Sequence, residues 1–377
     1  MQYKLGIDDR KNSPKPFLKW AGGKRKVVER IVSSLPREIE ESGRIEKYFE
    51  PFLGGGAVFF YLISHYDIDE VHLGDINKDL ILTYHVVQKD PEILVDLLKS
   101  MSDDFLPSSK ELRKEYYYNI RDEFNKEHER FNYSKYSDKH IIRASKMIFL
   151  NKTCFNGLFR VNKKCQFNVP MGSYKNPLIC DKENIFNVSK VLQDVVIKSE
   201  DYRCSEKFMD ENSFVYLDPP FRPLNKTSYF TNYSKNKFDD AEQKQLCEFY
   251  KRVSEKHVRV VLSNSDPKNE NKNDSFFEDL YGGLGMIQLD DALVENIIEP
   301  GHKGRRFRLL HRIPVAAGIR KLLDDPKILD VPGNGSLGTA EAVFLQSRQQ
   351  LLLGFNVFLT DDLQYFCLTL TFHCYHP

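Results

Sequence analysis

The stretch from Lys47 to Gly56 constrains the fold more than any other. Lys47-Tyr48-Phe49-Glu50 reads as a short strand that ends at Pro51, and Phe52-Leu53-Gly54-Gly55-Gly56 follows as a turn. Ala57 to Ser64 then continues as an apolar helix. Glycines let the backbone bend sharply and approach a ligand with no Cβ in the way. A second short strand, Glu70–Gly74, closes on Asp75. Strand, glycine turn, helix, then a strand ended by a carboxylate is the βαβ nucleotide-site pattern, in which the acid accepts hydrogen bonds from ribose hydroxyls. The six-residue GxGxxG fingerprint is absent, since Phe59 stands where its last glycine would be. A merely structural turn therefore remains an equal reading of the glycines alone.

The same alternation runs through the chain. Phe17-Leu18-Lys19-Trp20 leads into a Gly-Gly turn and a helix from Arg25 to Leu35. Asp79–Val87, Ser108–Asn125 and Ala241–Ser254 read as helices, and Val191–Val196, Phe214–Leu217 and Val258–Leu262 as strands. Residues 151–180 carry Asn, Gly and Pro at short intervals and read as loops with short strands. Strands alternating with helices predict an α/β fold built on a largely parallel, doubly wound sheet.

Composition enters as a set of exclusions. No run of 18 or more apolar residues occurs, so no membrane-spanning helix is expected. The opening MQYKLGIDDR is too polar for a signal peptide, which makes a cytoplasmic address the default expectation. The 7 cysteines are irregularly spaced with no CxxC pair, which argues against a disulfide framework and against zinc. With 55 Lys+Arg against 54 Asp+Glu, the net charge is +1, which taken alone disfavours a nucleic-acid partner.

The local distribution reverses that inference. From Lys139 to Lys175 there are eight Lys/Arg and no Asp or Glu, interleaved with Phe149, Phe155, Phe159, Phe167 and Tyr174. Basic residues neutralise phosphates, and rings among them can contact or wedge between bases. The C-terminal part differs again: residues 1–283 hold 32 Lys and 22 Leu, whereas 284–377 hold 3 Lys and 17 Leu. That shift fits either an ordinary subdomain or a tail of different origin.

One further cluster carries chemistry. Asp218-Pro219-Pro220-Phe221 follows directly on the apolar strand Phe214–Leu217. Two prolines fix φ and remove two backbone donors. What remains is a row of acceptors beside an aromatic face, suited to the exocyclic amino group of a flat base.

In order, these segments carry a resemblance. Phe17-Leu18-Lys19-Trp20-Ala21-Gly22-Gly23-Lys24, Glu50-Pro51-Phe52-x-Gly-x-Gly and Gly74-Asp75-Ile76-Asn77 come first. Asn151 to Arg160, Phe167-Asn168-Val169-Pro170, Asp218 to Phe221 and Leu262-Ser263-Asn264-Ser265-Asp266 follow. Over roughly residues 14–283 the chain resembles the Dam/DpnII-type (D12 class) DNA adenine-N6 methyltransferase family.

That resemblance implies a Rossmann-like S-adenosylmethionine-dependent methyltransferase sheet with an inserted, mainly helical target-recognition domain. It divides the chain into a catalytic, cofactor-binding domain (14–85 and 186–312), a DNA-binding recognition domain (86–185) and an atypical C-terminal extension (313–377). S-adenosyl-L-methionine would be held by Trp20, Lys24, Phe52, Gly54, Gly56, Asp75 and Asp218. Catalysis would fall to Asp218, Pro219, Pro220 and Phe221. Lys19, Phe155, Asn156, Leu158, Arg160 and Pro170 would contact double-stranded DNA, with GATC as the implied site. The target adenine would flip out of the helix, at a cost of a few kcal/mol offset in the pocket. A monomer with no metal is expected. Whether such an enzyme is paired with a restriction enzyme or acts alone stays open.

Two departures stand out. Phe221 replaces the usual Tyr of DPPY, which keeps the ring and loses the hydroxyl. The family's closing basic loop and strand are only approximated by Lys303-Gly304-Arg305-Arg306-Phe307-Arg308-Leu309-Leu310, so an imperfect last strand is expected there. Beyond it, Gly354–Leu359 and Tyr365–Phe372 would pair as a hairpin. Two other readings stay open on sequence: a cytosine-N4 methyltransferase, which shares the motifs, and a catalytically silent DNA-binding relic.

Overall fold

Alternate residues of the central strands enter two different cores, and this alternation decides the architecture. In β1 (Arg44–Glu50) Tyr48 packs on one side and Phe49 on the other. In β4 (Ser213–Leu217) Phe214 and Tyr216 join the first core, Val215 and Leu217 the second. A strand buried on both faces belongs at the centre of a sheet covered by helices on each side. The computed structural model describes residues 13–20, 28–32, 34–128, 130–162, 164–222, 238–265 and 273–281, with backbone strands at 286–288, 307–311, 340–344, 353–358 and 367–372.

Five strands run parallel in the order β3-β2-β1-β4-β5, where β2 is Asp67–Gly74, β3 is Val196–Lys198 and β5 is Arg259–Ser265. Beyond β5, β7 (Phe307–His311) pairs antiparallel with it, and β6 (Met286–Gln288) pairs with β7. The chain winds outward from β1 to β3, then returns to the other flank of β1 for β4 and β5. The switch point thus falls between β1 and β4, and in open α/β sheets ligands bind at the carboxyl ends of the strands there.

Helices α1 (Val28–Val32), α2 (Arg37–Ser42) and α3 (Ala57–His65) surround the first βαβ unit. Between β2 and β3 come α4 (Lys78–Lys89), α5 (Pro91–Phe105), α6 (Lys110–His128), α7 (Asp138–Thr153) and α8 (Lys182–Leu192). The starts of these helices follow capping chemistry. Asn77 accepts from the Leu80 N–H to open α4, Pro91 sits in the first turn of α5, and Ser137 and His140 form a reciprocal box before α7. Helix α7 is buried along most of its length, with Ile141, Met147, Ile148, Phe149 and Leu150 in the first core alongside Leu80 and Val86 of α4. On the second face α9 (Asp240–Glu255) and α10 (Phe276–Tyr281) cover β4 and β5.

Three expectations change. Val191–Val196 is not one strand: Val191 and Leu192 end α8, packed with Ile185 and Val188 on one helical face, and β3 begins at Val196. The helix expected over Arg25–Leu35 is seen at Val28–Val32, and its first turn lies outside the described residues. The closing strand does form, since β7 keeps five register pairs with β5 from Val261↔His311 to Ser265↔Phe307. The expected C-terminal hairpin is present as β9 (Leu353–Phe358) and β10 (Cys367–Phe372), to which β8 (Ala340–Phe344) adds a third antiparallel strand.

Among the described residues no helix is long and apolar enough to cross a membrane. No group of three or more His, Cys, Asp or Glu among them could hold a metal ion, and the five described cysteines are free.

Candidate active site at the switch point of the sheet

The glycine turn is shaped by needs that only glycine meets. Gly54 and Gly56 have φ of 50° and 68°, in the left-handed region. A Cβ at Gly54 would come within 2.8 Å of Trp20 Cδ1, and one at Gly56 within 2.7 Å of Tyr84 Oη. The Gly54 N–H donates to Asp75 Oδ2 at 3.0 Å and the Asn77 N–H to Asp75 Oδ1 at 2.9 Å. Each carboxylate oxygen keeps a lone pair for a ligand hydroxyl. Burial raises the Asp75 pKa to about 6, against the lowering effect of those two N–H donors. Trp20, Gly54, Gly56 and Asp75 therefore meet in a cradle at the carboxyl ends of β1 and β2. Phe52 lies beside them, its ring 5.1 Å from Tyr202 and 5.8 Å from Phe238. Lys24 lies outside the described residues.

Parallel pairing of β1 with β4 brings the second cluster alongside. Asp218 leaves the end of β4 partly exposed, Pro219 is buried, Pro220 is exposed and Phe221 is partly exposed. The Ser263 hydroxyl donates to Asp218 Oδ1 at 3.4 Å and lies 2.6 Å from Tyr216 Oη. Across the switch point stands Glu50, buried at the end of β1, which accepts from Tyr48 Oη at 2.7 Å and from the Phe59 N–H at 3.0 Å. Burial pushes its pKa up to about 8, and the nearby Asp218 charge adds to the rise. Glu50 is thus held mainly neutral at pH 7.

The third cluster forms an excursion from the end of α7. Cys154 bridges to Met171 and Val161 to Phe167, and the Phe155 N–H donates to the Pro170 carbonyl at 2.9 Å. Phe155 is 52% exposed beside Asn156, which takes a left-handed φ of 56°. Pro170 is exposed, and Leu158 packs partly against the first core. Asn168 Oδ1 accepts from Arg160 Nε at 2.8 Å and so fixes the guanidinium plane. Burial pushes the Cys154 thiol up to about 12, consistent with a packing role.

Two further residues join these clusters: Asn151, to which the sequence assigned no role, and Tyr174, noted there only as one of the rings in the basic stretch. Asn151 Oδ1 accepts from the Lys19 N–H at 2.8 Å, and its Nδ2 donates to the carbonyls of Lys19 (2.8 Å) and Gly157 (3.1 Å). It stitches the Lys19–Trp20 segment to the excursion, where Trp20 stacks on Phe159 at 5.2 Å and 16°. Tyr174 receives Lys19, whose Nζ lies 3.4 Å from the hydroxyl and 4.5 Å from the ring centre. An Asn directly after the apolar run Met147-Ile148-Phe149-Leu150 was the available signal for Asn151.

The basic stretch is divided. Arg143 is fully buried, with Nε 2.6 Å from Asp79 Oδ1 and Nη2 3.0 Å from Oδ2, and Lys146 pairs with Glu127 at 2.6 Å and Glu123 at 3.0 Å. These two cations hold helices together and are not available to phosphate, a correction to the expectation that the whole of 139–175 faces DNA.

Comparison with known proteins agrees with this geometry. The family profile for D12 class N6 adenine-specific DNA methyltransferases matches residues 20–302. The type II methyltransferase M.MjaIII of Methanocaldococcus jannaschii is 48% identical over 272 residues, 72% of this chain and 89% of the relative. The type II methyltransferase M1.LlaDCHI of Lactococcus lactis subsp. cremoris is 38% identical over 67% of this chain and 81% of its own. The DNA adenine methylase of Escherichia coli K12 is 35% identical over 66% of this chain and 80% of its own. A strand-end acid, a glycine turn and an Asp-Pro-Pro turn flank one switch point, and the matching profile spans all three: the chain belongs to the D12 class N6 adenine-specific DNA methyltransferase family, whose enzymes are S-adenosylmethionine-dependent.

Proposed function

We propose that the protein methylates adenine N6 at GATC sites in duplex DNA, acting on a base rotated out of the helix. The observation that carries this reading is the placement of the Asp218–Phe221 turn beside the Gly54–Asp75 cradle across the β1–β4 switch point. S-adenosyl-L-methionine, when bound in that cradle, supplies a methyl group on a sulfonium, an electrophile that leaves as a neutral thioether. Asp75 would hold its ribose, Gly54 and Gly56 would let the backbone approach, and Trp20, Lys24 and Phe52 would complete the pocket. On the other side Phe221 would stack on the flipped base. The Asp218 carboxylate and the Pro219 carbonyl would accept from the amino group and draw the N6 lone pair out of conjugation with the ring. That lone pair would form the new N–CH3 bond as the S–CH3 bond breaks, and the methylated nitrogen would give up its extra proton to water. Orientation of the two reactants supplies the rate.

Lys19, Phe155, Asn156, Leu158, Arg160 and Pro170 form the proposed DNA face, in which 86–185 acts as the recognition domain. Arg160, its plane fixed by Asn168, suits a bidentate contact to guanine O6 and N7.

The test is methyl transfer to GATC and scrambled duplexes, with the modified nucleoside identified in the product. Transfer to adenine in GATC alone is expected. Asp218→Ala abolishes transfer while DNA binding in a mobility-shift assay largely persists. Wild-type turnover by that variant would overturn the assignment, and N4-methylcytosine in the product would favour the cytosine reading.

A further inference from the structure

Two neighbouring residues of β5 brace the two ends of the Asp218–Phe221 turn from opposite faces of the strand. Ser263 reaches the carboxylate end, linking Tyr216 to Asp218. Asn264 is the next residue and so points the other way. Its Nδ2 donates to Gln243 Oε1 at 3.0 Å, and Gln243 Nε2 donates to the Pro220 carbonyl at 3.2 Å. Ser263, Asn264 and Gln243 are all buried.

Gln243 sits on the buried stripe of α9, where Leu246, Cys247 and Tyr250 fill the second core. A buried amide there costs free energy unless its donor and acceptor are both satisfied, and an unbranched apolar side chain would fill the same space without that demand. The bonds it makes end on a torsion that the two proline rings leave free. Proline fixes φ but not ψ, and ψ of Pro220 sets both the direction of its carbonyl and the departure of Phe221. Holding that carbonyl aims the ring, while Ser263 aims the carboxylate.

We infer that Gln243 and Asn264 form a positioning relay that, opposite Ser263, fixes the angle between the Asp218 acceptor and the Phe221 ring. The inference rests on the proposed role of Asp218 and Phe221. Gln243 touches neither cofactor nor base in this scheme; it acts through Pro220.

The experiment uses the full-length chain with Gln243→Met, Asn264→Ala and the double variant, alongside Asp218→Ala. It measures single-turnover methyl transfer to a GATC duplex, the dissociation constants for S-adenosylmethionine and DNA, and the melting temperature. Misplacing a reacting group by a fraction of an ångström up to 1 Å slows the chemical step by about 10–100-fold. Gln243→Met is expected to lose that much in rate with both dissociation constants unchanged. Asn264→Ala loses less, because Gln243 stays in place without its anchor, and the double variant is no slower than Gln243→Met. A folded Gln243→Met with the wild-type rate, whatever its melting temperature, overturns the relay. So does a rate loss matched by weaker cofactor binding. If Gln243→Met fails to fold, a wild-type rate in Asn264→Ala is the overturning result. Full activity in Asp218→Ala would sink the underlying reading, whereas an inactive Asp218→Ala beside fully active relay variants would sink the relay alone.

Discussion

The stretch 139–175 changes character at Asn151. On its N-terminal side Arg143 and Lys146 lie buried in α7, paired with Asp79 of α4 and with Glu123 and Glu127 of α6. On its C-terminal side Lys164, Phe155 and Pro170 are exposed, and Arg160 is partly exposed with its Nε held by Asn168. One acid-free run of positive charge thus turns Arg143 and Lys146 to cohesion in its first part, after the exposed Lys139, and presents a surface in its second. The difference is set by acids that are distant in sequence: 64 residues separate Arg143 from Asp79. A cation whose carboxylate sits on a packed neighbouring helix is lost to a ligand, and a count of local charge cannot see it.

The first half yields the largest predicted effect. Arg143 gives two hydrogen bonds to Asp79, one to the Phe124 carbonyl at 2.9 Å, and lies 4.0 Å from the Phe124 ring centre. Replacing it with Ala takes the buried cationic partner and two hydrogen bonds from Asp79, leaving it only Tyr133 and His128 among its described partners, which costs about 3–5 kcal/mol. Burial alone would raise the Asp79 pKa, but the hydrogen bond of His128 and the charge and hydrogen bonds of Arg143 outweigh it, with help from Tyr133, and hold the carboxyl below its usual value. A lowered folded pKa means that this stability is present above about pH 4, the unfolded Asp value, and is lost as pH falls through the folded pKa. Chemical denaturation of Arg143→Ala is expected to show the loss at pH 7 and a shallower decline on acidification. An unchanged midpoint would mean that α7 is not anchored in this way.

Arg160→Ala should show the converse. Its melting temperature stays at the wild-type value, because no buried charge is stranded. Discrimination between GATC and a duplex altered at a guanine falls by about 1–3 kcal/mol, the worth of one bidentate base contact. Competition binding with the two duplexes measures it. A uniform loss on both duplexes would place Arg160 on phosphate instead of a base edge.

The parts of the site that sequence patterns reveal are those whose chemistry forces a residue type locally. Gly54 and Gly56 must be glycine for their φ, and Asp75 follows a strand within reach of the Gly54 N–H, so spacing placed the turn and the acid together, while the resemblance assigned them to a cofactor. The paired prolines after β4 are equally local. Gln243, Asn264 and Asn151 are not, because each acts through side-chain bonds to chain 6 to 132 residues away. Gln243 did leave a trace, as the polar residue on an otherwise apolar stripe with Leu246, Cys247 and Tyr250. Glu50 left none, since its neutral state follows from burial between β1 and α3. The strand expected over Val191–Val196 failed for a related reason: Val191 and Leu192 close a helix face with Ile185 and Val188, and that spacing lies outside the six-residue window.

The smallest predicted effect tests whether the exposed half touches DNA through its charge. Lys164 follows the Asn162 turn, where Asn162 Oδ1 accepts from its backbone N–H at 2.8 Å, and its side chain is exposed. If it lies against the phosphate backbone, Lys164→Gln removes one counterion-releasing contact. The slope of log K against log salt then falls by about 1, and affinity drops by the same factor on GATC and scrambled duplexes. Lys146→Gln is the matched control from the buried half. It removes one positive charge from the same basic run, yet its partners are Glu123 and Glu127, so the salt slope should not move while the melting temperature falls. Equal slope changes in the two variants would show that net charge alone drives binding and would erase the distinction between the halves. A change confined to Lys164→Gln would put the boundary between scaffold and surface between Lys146 and Lys164, on either side of Asn151.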